Sequence, residues 1–172
     1  GLLGELLQQV QIVEFHAHVQ RPQRPQTAGD VGVLEQHLLQ SGSRAWLQLS
    51  SCHPLLENAP GLPDPQHYTT ARDIATLSAA LIREFPQYYK WYSQRSFTYN
   101  NITQQNRNGL LERDPTVDGI KTGHTDAAGY CLAASALRDG MRLVSVVMGT
   151  ASPKAREDVS AALLGYGFNF FE

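Results

Sequence analysis

Apolar positions fall into a helical rhythm in one part of the chain and a strand rhythm in another. Ile74, Leu77, Leu81, Ile82 and Phe85 recur at three- and four-residue steps, the stripe of an amphipathic helix. Thr70 followed by Asp73 predicts a capping box, with Asp in place of the usual Glu or Gln, and Pro86 predicts the end of the helix. Ser96 to Asn100 alternates and predicts a short strand. Tyr130 to Arg138 and Met141 to Met148 predict two strands joined at Asp139-Gly140, because both turn positions tolerate positive φ. Ser152, with Pro153 at the first position, predicts a closing helix whose buried stripe is Val159, Ala162, Leu163 and Tyr166. Residues 1–57 lack a clean period. There the expected elements are helices at Gly4 to Val13 and Val31 to Leu39, broken by two prolines in Gln20 to Gln26. Gly61-Leu62-Pro63-Asp64-Pro65 predicts a turn. The ordered part reads as α+β: an antiparallel sheet of three strands with a helix packed on one face.

Composition narrows this little. The chain has 172 residues, enough for one domain with a core, and 42% hydrophobic against 17% charged residues indicates a soluble globular protein. A net charge of -2 gives no reason to expect a nucleic-acid partner. No apolar run approaches the roughly 18 to 20 residues of a membrane span. The chain starts at Gly1, which suggests a fragment or processed form and leaves the lack of a signal peptide uninformative. Cys52 and Cys131 form neither a metal spacing nor a disulfide framework, and each is expected to be a buried small apolar residue. No metal or cofactor is expected.

Candidate chemistry concentrates in Asp118-Gly119-Ile120-Lys121-Thr122-Gly123-His124-Thr125, just ahead of the predicted hairpin. A lysine, a hydroxyl and a glycine in a row suit a sheet-edge strand that grips a peptide. Lys121 can attract a carboxylate, Thr122 can donate a hydrogen bond, and Gly123 lets another backbone come close. The alternative is a surface strand with a solvated lysine, since such a tripeptide arises by chance in roughly one chain in fifty of this length.

The surroundings add a resemblance. Tyr68 to Asp73, Asn106 to Leu111, Val117 to Thr125, Ala128-Gly129-Tyr130, Arg142-Leu143 and the ending Gly167-Phe168 to Phe171-Glu172 occur in this order. Residues 58–172 thus resemble the serine-type D-alanyl-D-alanine carboxypeptidases, the low-molecular-mass penicillin-binding proteins. The class A β-lactamases share a similar lysine strand. The resemblance implies part of a penicillin-binding, β-lactamase-like transpeptidase domain. It also implies D-Ala-D-Ala peptides of peptidoglycan and β-lactams as partners, and a periplasmic or cell-envelope setting. In that family a Ser-x-x-Lys serine attacks the peptide carbonyl between two D-alanines and the motif's lysine helps move the proton. A Ser-x-Asn motif adds a second hydroxyl and an amide, and the lysine strand holds the substrate carboxylate and backbone. Lys121, Thr122, Gly123 and His124 are the substrate-binding positions that carry over. For His124 an exposed ring beside the strand is the alternative, and for Arg107 and Asp118 a structural salt bridge or turn contact is expected.

The rest of the motif set does not carry over. No serine is followed three residues later by lysine, and no Ser-x-Asn occurs; no catalytic residue is identified. A serine without an adjacent base is a weak nucleophile. The chain therefore reads as an incomplete, inactive family member, with a non-catalytic peptidoglycan-peptide binding module or a β-lactamase-like hydrolase as alternatives. Residues 1–57 are unassigned, with a nucleophile helix lying upstream of Gly1, a shifted reading frame, or disorder as explanations. Codons for His53-Pro54-Leu55-Leu56, read one nucleotide later, can spell the Thr-His-Phe that this family often has before Asn-x-x-Gly-Leu. With sheet strands lacking or replaced, an uncovered edge is expected to leave the chain marginally stable.

Overall fold

A computed structural model describes residues 11–15 and 68–171. The helix α1 (Ala71–Glu84) begins where the sequence places it. The Thr70 hydroxyl accepts from the Asp73 amide, and the Asp73 carboxylate accepts from the Thr70 amide, so the capping box forms with the shorter acid. A short helix α2 (Pro86–Tyr89) and a 3-10 turn (Lys90–Ser93) follow. Strands β2 (Ser96–Tyr99) and β3 (Ile102–Gln105) form a separate hairpin, turning at Asn100 and Asn101, both at positive φ. Only β2 was expected; the two asparagines, which tolerate the left-handed region, are the turn signal for the second strand.

The helix α3 (Leu110–Arg113) leads into the principal strands β4 (Val117–Thr125), β5 (Gly129–Arg138) and β6 (Met141–Thr150), and the chain closes on α4 (Pro153–Phe170). The Asp139-Gly140 turn has positive φ at both residues, as its composition predicts. The sheet has four strands, not three. Its antiparallel order is β1-β6-β5-β4, where β1 is Gln11–Phe15. This corrects the helix expected at Gly4 to Val13, since Gln11 to Val13 lie in the strand. Gln-Ile-Val-Glu-Phe carries adjacent β-branched residues, and pairing along β6 satisfies the backbone groups on that side. The helix expected at Val31 to Leu39, the proline segment 20–26, Cys52 and the turn at 61–65 lie outside the described residues.

Helices cover both faces of the sheet, which corrects the one-sided layering. On one face Ala75, Leu81, Ile82 and Tyr89 pack with Ala133, Val144 and Val146. On the other, Leu110, Leu111 and Leu164 pack with Leu132, Ala134, Ala136 and Leu143. The cause is visible in β5 and β6: residues 132–136 and 143–147 are all buried, without the polar alternation that a one-sided sheet shows. The stripe of α4 is also displaced. Arg156, Ser160, Leu164 and Gly167 are buried, whereas Ala162 and Tyr166 are exposed. Hydrophobicity alone misplaces the face because three of its four buried positions are polar or glycine.

Two expected outcomes test this core. Leu143 is fully buried between β5 and α4, so Leu143→Ala should lower the unfolding free energy by about 2–5 kcal/mol. Leu137→Ala, at a half-exposed neighbour on β5, should cost well under half of that in the same urea titration. Near-equal losses would contradict the packing described. Asp114 accepts from the Thr116 amide at 2.8 Å and hydroxyl at 2.6 Å and meets Arg138 at 2.7 Å. Burial pushes its pKa up, but the Thr116 bonds and the Arg138 guanidinium outweigh that and hold it below the ordinary aspartate value. The unfolded chain therefore takes up the proton first. Asp114 contributes its stability above about pH 4 and loses it as pH falls through the lower folded value. Asp114→Asn should flatten the acid limb of the urea midpoint between about pH 5 and 2; an unchanged slope would refute this coupling.

Candidate functional site

The candidate site is the outer edge of β4. On its inner side β4 pairs with β5, placing Lys121 opposite Ala133, Thr122 opposite Leu132, Gly123 opposite Cys131 and His124 opposite Tyr130. On its outer side no described strand pairs with it. Lys121, Gly123 and His124 are exposed and Thr122 is half-buried. The four predicted positions thus share one accessible strand edge. The Lys121 ammonium donates to the Thr122 carbonyl at 2.5 Å, so its charge lies along the backbone of that strand. A Cβ at Gly123 would meet only Cys131 Cβ, at an ordinary 3.9 Å. Space alone therefore does not demand glycine there, and its use is the low profile it offers an approaching backbone.

The strand is held from behind by two buried clusters. The first sits at a β-bulge. Val117 pairs with Ala136 and Gly119 with Ser135, which leaves Asp118 as the extra residue. Its carboxylate accepts from the Tyr89 hydroxyl at 2.8 Å and pairs with Arg142 at 2.7 Å, and Arg142 also donates to Ser135 at 2.7 Å. Burial and the neighbouring Asp118 push the Tyr89 hydroxyl far above the ordinary tyrosine value, so it stays a neutral donor. Burial alone would lower the Arg142 pKa; the Asp118 bond reverses that, and the net direction is upward. Gly119 is required here, since a Cβ would come within 2.7 Å of the Tyr89 hydroxyl. The expectation of a structural salt bridge at Asp118 matches this geometry.

The second cluster centres on Arg156 of α4, 5% exposed. Its guanidinium donates to the carbonyls of Gly123 at 3.2 Å, Cys131 at 3.4 Å and Arg107 at 3.1 Å. It also lies 5.6 Å from the Tyr130 ring centre, and Tyr130 stacks on His124 at 4.0 Å. His124 is therefore an exposed ring with a fixed neighbour. Asn108 completes the arrangement: it is buried and donates to the Gly119 carbonyl at 3.0 Å. Arg107 itself is exposed, and only its carbonyl takes part. Arg156 escaped the sequence reading because a lone arginine in a helix looks like a solvated side chain; its signal was the run of small and polar residues along the buried helix face. Cys131 is half-buried, not fully buried as expected. Among the described residues no cluster of His, Cys, Asp or Glu could hold a metal, and no helix is long and apolar enough to cross a membrane.

This arrangement can present a row of free backbone groups, a mobile cation and a glycine to an extended peptide ending in a carboxylate. The family model for D-alanyl-D-alanine carboxypeptidase matches residues 47–152. The chain is similar to D-alanyl-D-alanine carboxypeptidase DacA of Haemophilus influenzae, 54% identical over 114 residues, which is 65% of this chain and 29% of the relative. It is also similar to DacD of Escherichia coli, 48% identical over 122 residues, 70% of this chain and 31% of the relative. Among solved structures, penicillin binding protein 5 from Haemophilus influenzae superposes with a TM-score of 0.71 at 43% identity, covering 79% of this chain and 42% of that one. Penicillin-Binding Protein D2 from Listeria monocytogenes in its cefotaxime-bound form gives 0.66 at 29% identity, covering 74% and 53%. The chain thus spans under a third of the length of these curated relatives.

Arg156→Lys should destabilise the protein by about 2 kcal/mol in urea unfolding, because an ammonium cannot span three carbonyls from the position of a planar fork. Arg113→Lys, at an exposed ion pair with Asp158, should cost under about 0.5 kcal/mol. Equal effects would remove Arg156 from its place behind the strand.

Proposed function

The chain belongs to the D-alanyl-D-alanine carboxypeptidase family, and from that premise we propose that its β4 edge is the substrate-side wall of a serine-type site for D-Ala-D-Ala peptides of peptidoglycan. The outer edge of β4, which no described strand pairs, with exposed Lys121 beside it, carries this reading. An extended stem peptide adds along the edge as a further strand, its backbone groups pairing with those of β4. The terminal carboxylate draws the Lys121 ammonium away from the Thr122 carbonyl, exchanging a neutral acceptor for a charged one. The Thr122 hydroxyl offers one further donor, and Gly123 admits the peptide at close range. His124 lines the same edge, its ring set by Tyr130. β-Lactams, as mimics of the D-Ala-D-Ala terminus, occupy the same wall. The setting that suits this substrate is the periplasm or cell envelope.

Acyl transfer needs more than this wall. It needs a nucleophile with a base in hydrogen-bond reach. Within these 172 residues no Ser-x-x-Lys and no Ser-x-Asn occurs. On this reading these 172 residues bind the peptide without turning it over.

Two measurements on the 172-residue chain test this. A D-Ala-D-Ala peptide should bind weakly and saturably, and Lys121→Ala should weaken that binding roughly tenfold or more, the worth of one charge-assisted hydrogen bond. Fluorescent penicillin should leave no covalent adduct. Stable labelling would refute the claim of inactivity, and peptide binding indifferent to Lys121 would refute the wall.

A further inference from the structure

The β2–β3 hairpin carries a surface that the site above does not use. Cross-strand pairing places Phe97 opposite Gln104 and Tyr99 opposite Ile102 on one face. Thr98 and Thr103 share the other, their hydroxyls 2.8 Å apart. On the first face Phe97 is 50%, Tyr99 75% and Ile102 61% exposed. Residues 96–105 include four side-chain amides, Asn100, Asn101, Gln104 and Gln105, and no charged residue. At the base Arg95 is paired with Glu112 at 3.2 Å, and exposed Arg107 follows the exit.

This hairpin is tied to the β4 edge. The Asn106 amide closes the hairpin base on the Arg95 carbonyl at 2.7 Å, and its side chain accepts from the Asn108 amide at 2.9 Å. Asn108 bonds Gly119 of β4, and one guanidinium, that of Arg156, holds both the Arg107 and the Gly123 carbonyl. The exit of the hairpin therefore lies within one arginine head group of Gly123.

We propose that the Phe97–Tyr99–Ile102–Gln104 face is a platform for the glycan strand that bears the stem peptide. The inference rests on the reading of the β4 edge as a peptide-binding wall. Its ground is chemical match. A neutral sugar polymer presents apolar C–H faces that lie flat on aromatic rings, and hydroxyl and acetamido groups that exchange hydrogen bonds with side-chain amides. An anionic lipid surface or nucleic acid would call for a cluster of cations, and residues 96–105 carry none; beside them stand only Arg95, paired with Glu112, and Arg107. Arg156 joins the exit of the hairpin to Gly123, so the platform is anchored to the strand on which the peptide is proposed to lie.

The test uses the 172-residue chain and three probes: neutral β-1,4-linked N-acetylglucosamine oligomers, a sugar-free D-Ala-D-Ala peptide, and phosphatidylglycerol–phosphatidylethanolamine vesicles. Wild type should bind the glycan oligomers, Tyr99→Ala should weaken that binding about tenfold, and Tyr99→Trp should restore it. Tyr166→Ala, at an exposed aromatic on α4, should change nothing. Lys121→Ala should impair the peptide and spare the glycan, whereas Tyr99→Ala should do the reverse. Failure of Lys121→Ala to affect the peptide would therefore sink the wall and not the platform. No glycan binding by wild type, or equal binding by Tyr99→Ala, would overturn the platform. Vesicle binding or self-association abolished by Tyr99→Ala, without glycan binding, would reassign the face to a membrane or to a second copy.

Discussion

Asp118 is the residue on which the register of the lysine strand turns. It is the odd residue of a two-against-one bulge, and the pairs beyond it follow from that count: Lys121 with Ala133, Gly123 with Cys131, His124 with Tyr130. In a sheet whose side chains alternate between faces, a slip of one residue exchanges those faces along the whole strand. An extra residue in a covered sheet needs a reason to stay extra. Here the reason is electrostatic. Asp118 is gripped by Arg142 from β6 and by the Tyr89 hydroxyl from α2, and Arg142 reaches on to Ser135 in β5. Removing any one of these groups would leave the others partly desolvated and unpaired, which is costlier than the pair is worth. The cluster therefore acts more as a specification of register than as a source of stability.

The same logic governs Arg156. Its charge is buried and faces backbone carbonyls instead of a carboxylate. Three carbonyls from three segments converge on one planar donor, which makes the arginine a junction between α4, the β4–β5 pair and the exit of the β2–β3 hairpin. Ser160 and Leu164 continue the face on which it lies. A helix whose buried face holds an arginine, a serine, a leucine and a glycine is poorly described by hydrophobicity, yet it positions the candidate site more directly than the aliphatic core does.

This explains what was legible in the sequence. Features fixed by local chemistry could be read: the Thr70–Asp73 box, the Asp139-Gly140 turn, the Ser152 cap and the Lys121–His124 edge. Features fixed by a distant partner could not. Gln11–Phe15 becomes a strand because β6 offers an unpaired edge, and a window around those residues contains no sign of β6. Helices on both faces of the sheet were foreshadowed by the apolar runs of β5 and β6, interrupted only by Ser135 and Ser145, a long-range consequence written in local residues. The Asp118 clamp and the Arg156 junction depend on side chains far apart in sequence, and single charged residues carry no period to detect.

The open edge of β4 sets a conflict that the composition of the strand answers. A strand with unpaired N–H and C=O groups can recruit any other strand, including that of a second molecule. A lysine on such an edge works against that, because a like strand pairing with it would bring two ammonium groups together in a desolvated seam. Lys121 therefore discourages a like strand while favouring one that ends in an anion, so the charge proposed to meet a carboxylate also limits self-association. At the other side of the sheet β1 lies along β6. Pairing with β5 on one side and the lysine on the other are then two parts of one solution: a strand that holds Gly123 and His124 in place and carries a cation along its outer side.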